Sequence, residues 1–198
     1  ILFQKALAPA SIKRILSSIK SMYSYGFRIG YFQFDVGKPL RIPSSKDTLS
    51  ERILSEEQVQ TLIQSTNNPR DHLMLKVFYY TGLRVSEVAS LKWKDLQPRD
   101  KSGQICVLTK GSRTNILLLP EFLWNALITY RNGKSEDEPI FRSRKGSHLC
   151  SGQIERIIAK IGRDAKISKS TCCPHMLRHS HASHALDNGC PIHLVQKQ

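Results

Sequence analysis

Residues 172–189, with the sequence C-C-P-H-M-L-R-H-S-H-A-S-H-A-L-D-N-G, constrain the fold more than any other part of this chain. Pro174 suits the first turn of a helix, and Gly189 suits its end. The pattern therefore predicts a single helix across this stretch. His175 and Arg178 are three residues apart, so their side chains project from one edge of its first turn.

The chemistry of this predicted helix start favours an anion. A helix N-terminus attracts negative charge through its free N–H groups and its dipole. An imidazole that exchanges a proton near neutral pH and a guanidinium that grips phosphate lie on top of it. We interpret the stretch as half of a phosphate-handling site. The alternative interpretation is a surface helix that happens to be rich in histidine.

The overall charge indicates a polyanionic partner, because 30 Lys and Arg outweigh 16 Asp and Glu among 198 residues, for a net charge of +14. Nucleic acid is the partner that such an excess favours most. Five irregularly spaced cysteines are typical of a reducing compartment and not of a disulfide scaffold. With no signal peptide or membrane-length apolar run, we expect a cytoplasmic, nucleoid-associated protein that has no membrane partner.

Two domains are predicted from changes in periodicity. A helix with one apolar stripe is predicted over 9–25, and residues 1–38 are interpreted as the tail of a helical domain. Pro, Gly and polar residues over 39–54 predict a linker. Residues 55–198 form the second domain. Three basic side chains lie off the apolar stripe of the first helix and are candidates for DNA contact: Lys13, Arg14 and Lys20.

Local signals predict that the second domain is mostly α-helical with one small antiparallel β hairpin. Ser55 and Gln58 match a capping box at a helix start. Gly82 suits the end of the following helix. The β-rich runs at 105–109 and 114–119 flank a short K-G-S-R segment, which predicts the hairpin.

Several basic side chains lie at the ends of these predicted elements. Arg84 directly follows the glycine turn at a helix start, where its charge opposes the dipole, so we expect Glu87, an anionic ligand or both to compensate it. Lys110 lies at the hairpin tip, from which a lysine can reach into a groove. Further candidates for DNA contact lie beside that tip and in a basic loop: Arg113, Arg142, Arg144 and Lys145.

Three motifs, taken in their order and wide spacing, resemble those of the tyrosine recombinases, or phage integrase family. T-G-L-R-V-S-E-V-A-S-L (81–91) resembles the box that holds the first catalytic arginine of the family. T-K-G-S-R-T-N-I-L-L-L-P (109–120) resembles its β hairpin with the catalytic lysine. P-H-M-L-R-H-S-H-A-S (174–183) resembles its H-x-x-R box. The resemblance covers about 49–198, and the helices of 9–34 resemble the end of the family's core-binding domain.

The resemblance implies a recombinase catalytic domain over 55–198, incomplete at its C-terminus, preceded by part of a helical core-binding domain. It implies that Arg84 and Arg178 hold the scissile phosphate of DNA. His175 would hydrogen-bond that phosphate and assist proton transfer at the nucleophile. Lys110 would protonate the leaving 5′ oxygen, and Glu87 would support the site. No metal or other cofactor is implied.

The chain departs from the family pattern at its end. The family continues with a Gly-His pair and a nucleophilic tyrosine, whereas I-H-L-V-Q-K-Q (192–198) resembles only the segment that leads into them. All six tyrosines precede Lys134, and none fits the nucleophile position. We therefore expect a fragment that binds duplex DNA with salt-dependent affinity but does not cleave it. We expect the complete protein to act as a tetramer on paired sites, and the fragment to be monomeric.

Two other classes of function stay open from the residues alone. A non-catalytic DNA-binding protein would share the charge and the helices. A zinc-binding module would use the cluster of cysteine and histidine near the C-terminus. Type IB topoisomerases share similar chemistry, although the linker and the short basic hairpin fit recombinases better. The residues of the possible zinc cluster are Cys172, Cys173, His175, His179, His181, His184 and Cys190.

Overall fold

The computed structural model describes residues 7–44, 53–109, 113–168 and 172–195. The chain divides into two compact units, Ile1–Ser50 and Glu51–Gln198. The linker predicted over 39–54 lies partly outside the described residues, and the two predicted boundaries, before residue 39 and before residue 55, stay predictions.

The first unit is built on helix α1, Pro9–Arg28. The helix predicted over 9–25 is confirmed and continues for one further turn before Gly30 takes a positive φ of 76°. The chain then returns along the helix. The Phe32 ring lies 5.6 Å from the Tyr23 ring, and the Ser24 hydroxyl donates to the Asp35 carboxylate at 3.1 Å.

The second unit begins with helix α2, Glu56–Gln64, and its capping box is confirmed. The Gln58 N–H donates to Oγ of Ser55 at 3.2 Å, and the Ser55 N–H donates to Oε1 of Gln58 at 3.0 Å. These two bonds satisfy backbone donors that a helix start otherwise leaves without partners. They fix where α2 begins.

Helix α3, Pro69–Thr81, is the central element of this unit. Its interior sequence L-M-L-K-V-F-Y-Y is apolar on nearly every side, as in a helix surrounded by protein. It packs against α2 and against four elements introduced below. Phe78 and Leu75 are fully buried, and burial of such a side chain stabilises the fold by about 2–3 kcal/mol.

Helix α4, Val85–Ser90, follows α3 after a three-residue turn, and a 3₁₀ turn at Trp93–Asp95 leads into the sheet. Strands β1, Leu96–Arg99, β2, Ser102–Thr109, and β3, Arg113–Leu119, form one antiparallel meander. The predicted hairpin is confirmed as β2 and β3. The structure adds β1, for which the sequence analysis predicted no strand.

The remaining helices complete the unit. They are α5, Glu121–Arg131, α6, Ser151–Asp164, α7, Pro174–Asp187, and the short α8, Ile192–Val195. The long helix predicted to begin at Pro174 is thus confirmed. Helix α3 packs against α4, β3, α5 and α7, and α6 packs against α4 and α7. A mostly helical fold with a small antiparallel sheet is therefore confirmed.

Three contacts help to fix the position of α7. A side chain at Gly162 would lie 2.1 Å from Sγ of Cys172, so glycine lets the segment before α7 approach α6 closely. The Cys172 thiol donates to the Ile158 carbonyl oxygen at 3.3 Å. In the middle of α7, the fully buried Ser180 hydroxyl accepts the Leu54 N–H at 2.9 Å. Helix α7 is thereby held against both α6 and the start of α2.

Candidate phosphate-binding site

Arg84 lies at the N-cap of α4, where the Glu87 carboxylate holds it at two points. One carboxylate oxygen accepts the Arg84 backbone N–H at 2.7 Å, and the other accepts Nη1 of its guanidinium at 2.9 Å. The Glu87 side chain is 11% exposed and the Arg84 side chain is 56% exposed. A half-buried carboxylate therefore orients a largely exposed guanidinium.

The turn before Arg84 depends on Gly82. Its φ of 62° lies in the left-handed region, which costs residues other than glycine about 1–2 kcal/mol. A Cβ atom at this position would lie 2.6 Å from the His181 ring on α7. Glycine is thus needed both for the end of α3 and for close approach of α7.

Arg178 extends from α7 to the same turn. Its Nη1 donates to the carbonyl oxygen of Gly82, two residues before Arg84. That carbonyl belongs to the α3 C-terminus, where a cation is favoured by the helix dipole. The contact brings the guanidinium of the H-x-x-R motif to the turn that carries the first arginine.

The electrostatics show that the two arginines act on each other. Burial lowers the pKa of the Arg178 guanidinium, the charge of Arg84 lowers that pKa further, and Glu87 raises it. A guanidinium nevertheless stays protonated at physiological pH. The Glu87 carboxylate pairs with Arg84 and its charge also acts on Arg178, and an incoming anion would relieve the repulsion between the two arginines.

His175 lies in the first turn of α7 and is exposed. Its Nε2 lies 2.8 Å from Nε2 of His179, one turn further along the helix. The two rings have centroids 4.2 Å apart and meet edge to face at 79°. His175 therefore projects from the same helix as Arg178, one turn nearer to its N-terminus.

The structure accordingly brings together three of the predicted residues, Arg84, Glu87 and Arg178, with His175 on the helix that carries Arg178. Lys110 lies outside the described residues, as does the side chain of Arg113. The catalytic and supporting roles of all five predicted site residues stay predictions.

Among the basic residues predicted on α1, Lys13 and Arg14 are exposed. Nζ of Lys20 donates to the Leu40 carbonyl oxygen at 3.2 Å, which commits one of its three hydrogens within the first unit. In the second unit, Arg142 pairs with Glu138 at 2.9 Å and also donates to the Gly146 carbonyl oxygen. Contact of these side chains with DNA stays a prediction.

A basic groove that was not predicted from the sequence lies between α6, loop 143–149 and residues 65–71, which include the start of α3. The groove encloses about 880 Å³. Arg70 on its wall is neutralised by Asp71 at 2.7 Å. Apart from the Arg70–Asp71 pair, the groove has one carboxylate, that of Asp164, and four exposed cations. These cations are Arg144, Lys145, Arg156 and Lys160.

The sequence contains a signal for one side of this groove, the exposed face of α6. Arg156 and Lys160 are four residues apart on α6, opposite the buried Ile154 and Ile158. Helical periodicity places such a pair on one exposed face. What periodicity does not show is that loop 143–149 lies beside that face.

The described residues contain no group of three or more His, Cys, Asp or Glu side chains that could hold a metal ion. The cysteines of the possible zinc cluster differ in their surroundings, since Cys172 is buried whereas Cys173 and Cys190 are half-buried. No helix in the described ranges is long and apolar enough to cross a membrane.

The decisive comparison is with the sequence model of the phage integrase family, which matches residues 52–198. The chain belongs to the phage integrase family. The matched range contains the Arg84 turn, the hairpin and α7, so the resemblance found in the three motifs is confirmed at the level of the family.

Individual relatives agree with this membership. The tyrosine recombinase XerC of Xanthomonas axonopodis pv. citri (strain 306) is 31% identical over 199 residues, and the match covers 98% of this chain and 64% of the relative. The tyrosine recombinase XerD of Listeria monocytogenes is 30% identical over 207 residues, covering 98% and 68%. The chain thus spans about two thirds of the length of these curated relatives.

Solved structures show the same fold. The XerA recombinase matches with a TM-score of 0.66 at 26% identity, covering 98% of this chain and 68% of that one. The XerH site-specific recombinase bound to its difH substrate matches with a TM-score of 0.75 at 22% identity, covering 99% and 60%. A lambda integrase dimer bound to a core site matches with a TM-score of 0.71 at 19% identity, covering 95% and 70%.

Proposed function

We propose that this chain is the DNA-binding and phosphate-activating part of a site-specific DNA recombinase. The single observation that carries the proposal is the placement of Arg84 and Arg178 at one turn, where the Glu87 carboxylate offsets part of their charge. This arrangement suits a phosphodiester, which needs several cationic hydrogen-bond donors at one point. Relatives that are named tyrosine recombinases support the assignment.

In the proposed reaction, Arg84 and Arg178 hold the non-bridging oxygens of the scissile phosphate and stabilise the charge that develops in the transition state. Glu87 orients Arg84 through its two hydrogen bonds. His175 donates a hydrogen bond to the phosphate. Lys110 would donate a proton to the leaving 5′ oxygen.

In the proposed reaction, the bonds formed and broken balance without a cofactor. A tyrosine hydroxyl attacks phosphorus, a 3′-phosphotyrosyl bond forms, and the bond to the 5′ oxygen breaks. The nucleophile loses its proton, and the 5′ oxygen gains one. Attack by a 5′ hydroxyl on the phosphotyrosine reverses these changes and rejoins DNA. The energy of the phosphodiester is retained in the intermediate.

Two of the three tyrosines in the second unit are poor candidates for that nucleophile. Tyr79, on α3, is 8% exposed, and its hydroxyl is hydrogen-bonded to Nδ1 of His184 at 2.9 Å. The Lys134 ammonium lies over the Tyr130 ring, 3.9 Å from its centroid. Because none of the six tyrosines fits the nucleophile position of the family pattern, we propose that a tyrosine outside these 198 residues attacks DNA. The complete protein would then act as a tetramer on two sites, while this chain alone is a monomer.

Duplex DNA would contact both units. In the second unit, the basic groove beside α6 offers exposed cations to the phosphate backbone. In the first unit, Lys13, Arg14 and Lys20 on α1 would add contacts, as expected of part of a core-binding domain over residues 1–38. Contacts of this kind supply sequence-independent affinity that falls steeply with salt.

The proposal is tested by the affinity of the chain for a fluorescent duplex, measured by anisotropy across salt concentrations. Arg84→Ala combined with Arg178→Ala should weaken binding by about 10-fold or more and reduce the slope of log K against log salt by about 2. Lys101→Ala is the control. Lys101 lies in the β1–β2 turn, at the opposite end of β2 from the hairpin tip, and its loss should change affinity by less than about twofold.

Absence of DNA binding at low salt, or equal binding by the double variant and the wild type, would contradict the proposal. The same mixtures, denatured and resolved by gel electrophoresis, test for the nucleophile. We expect no covalent DNA adduct on this chain, and an adduct at any of its tyrosines would overturn the proposed origin of the nucleophile. In a longer protein that carries the nucleophile, Arg178→Ala should slow cleavage by about 10²–10³-fold.

A further inference from the structure

The hydrogen bond between His175 and His179 limits which ring nitrogens can carry a hydrogen. Their Nε2 atoms are 2.8 Å apart. Only one hydrogen fits between two nitrogens at this distance, because two N–H groups facing each other would collide and two lone pairs would repel. One ring is therefore the donor at Nε2, and the other ring presents a bare Nε2 as the acceptor.

The position of His175 decides which ring donates, provided that the proposed function is right. In that function, His175 donates a hydrogen bond to a phosphate oxygen. Its Nε2 is used in the contact with His179, so the remaining donor is Nδ1. A neutral imidazole with its hydrogen on Nδ1 has a bare Nε2. That nitrogen can only accept, and the hydrogen between the rings then belongs to His179.

We propose that His179 is a positioning residue for His175. It donates its Nε2–H to Nε2 of His175, and this bond keeps the hydrogen of His175 on Nδ1, from which it can be donated to phosphate. The role is analogous to that of groups that orient a catalytic histidine through its second nitrogen. His179 itself touches neither phosphate nor nucleophile in this arrangement.

The purpose assigned to this hydrogen bond rests on the proposed function, but the test of which ring donates it does not need DNA. Long-range ¹H–¹⁵N correlation spectra of the ¹⁵N-labelled chain distinguish a protonated ring nitrogen from a bare one. They are recorded at about pH 8, where unperturbed imidazoles are neutral. The signals of His175 are identified by their loss in His175→Gln. We expect His175 to carry its hydrogen on Nδ1.

Three variants separate the hydrogen bond from simple ring packing. His179→Phe keeps an aromatic ring but has no donor, and it should move at least half of the His175 population to the Nε2–H tautomer. His179→Ala should do the same. His179→Gln retains an N–H donor at a similar reach and should restore the Nδ1–H tautomer. Circular dichroism of each variant checks that α7 is retained.

A His175 ring that carries its hydrogen on Nε2 in the wild type would overturn the inference, as would a tautomer that is unchanged in His179→Phe. Because these spectra are recorded without DNA, they support or overturn the role of His179 whether or not the chain binds DNA. The anisotropy measurements on the arginine variants test the proposed function separately.

Discussion

The guanidinium of Arg178 donates a hydrogen bond to the carbonyl oxygen of Gly82, although the two residues are 96 positions apart in the chain. This bond joins the middle of α7 to the end of α3. Arg84 follows two residues later, so the contact determines the separation of the two arginines. The geometry of the candidate site therefore depends on how closely α7 can approach the Gly82 turn.

Replacement of Gly82 by alanine should lower the free energy of unfolding by about 2–4 kcal/mol. Its positive φ accounts for about 1–2 kcal/mol, and the collision of the new Cβ with the His181 ring adds to this. Gly133→Ala is a matched control, since Gly133 has a φ of 75° but no atom within 4 Å of its added Cβ. Urea unfolding of both variants measures the difference, and equal losses would show that close approach of α7 is unimportant.

Ser180→Ala should destabilise the second unit by about 1–3 kcal/mol, because it removes the acceptor of the buried Leu54 N–H. Ser65→Ala is the control. The Ser65 hydroxyl is exposed and donates to the Thr61 carbonyl oxygen at 2.6 Å, so its loss should change stability by less than about 0.5 kcal/mol. Thermal and urea unfolding compare the two, and a Ser180 variant as stable as the Ser65 variant would contradict the assigned hydrogen bond.

Removal of two cations from the basic groove should weaken DNA binding and flatten its salt dependence. Arg156→Ala with Lys160→Ala should reduce the slope of log K against log salt by about 2, since each lost phosphate contact contributes about 0.9. Lys94→Ala with Arg131→Ala removes the same charge from residues that pair with acidic side chains at 2.8 and 3.7 Å. That control should leave the slope nearly unchanged. Identical slopes for both double variants would exclude the groove as a DNA contact.

The cysteines should differ in their reaction with iodoacetamide at about pH 8, because the thiolate is the reactive form. Burial raises the pKa of the Cys172 thiol to about 11, and Cys173 contributes to the increase. Cys150 is exposed. Mass spectrometry should therefore find Cys150 modified first and Cys172 last. Raising the pH towards 11 should speed modification of Cys172, and unfolding in urea should abolish the difference. Equal rates in the folded chain would contradict this burial.

Local signals in the sequence were sufficient for several elements. The capping box at Ser55 and Gln58, the end of α3 at Gly82 and the hairpin were predicted because neighbouring residues determine each of them. Strand β1 was missed because L-Q-P-R shows no alternation of apolar and polar residues. It forms through pairing with β2, in which Leu96 lies opposite Ile105.

The candidate site was likewise predicted only in part from the sequence. The motifs predicted which arginines and which histidine to consider, and spacing predicted Glu87 as one of the anions that could compensate Arg84. The bond from Arg178 to the Gly82 carbonyl, the contact between the two imidazoles and the groove beside α6 were not predicted. Each depends on side-chain directions or on elements that are distant in sequence.

By itself, the sequence determined the family of this protein, its mostly helical class and the chemical types of its site residues, because these follow from motifs, periodicity and charge. Only the tertiary structure decided how those residues meet. Packing of α7 against α3 places Arg178 at the turn before Arg84, and burial together with like charge lowers the Arg178 pKa there. Distances between residues far apart in the chain are set by packing, which no local pattern encodes.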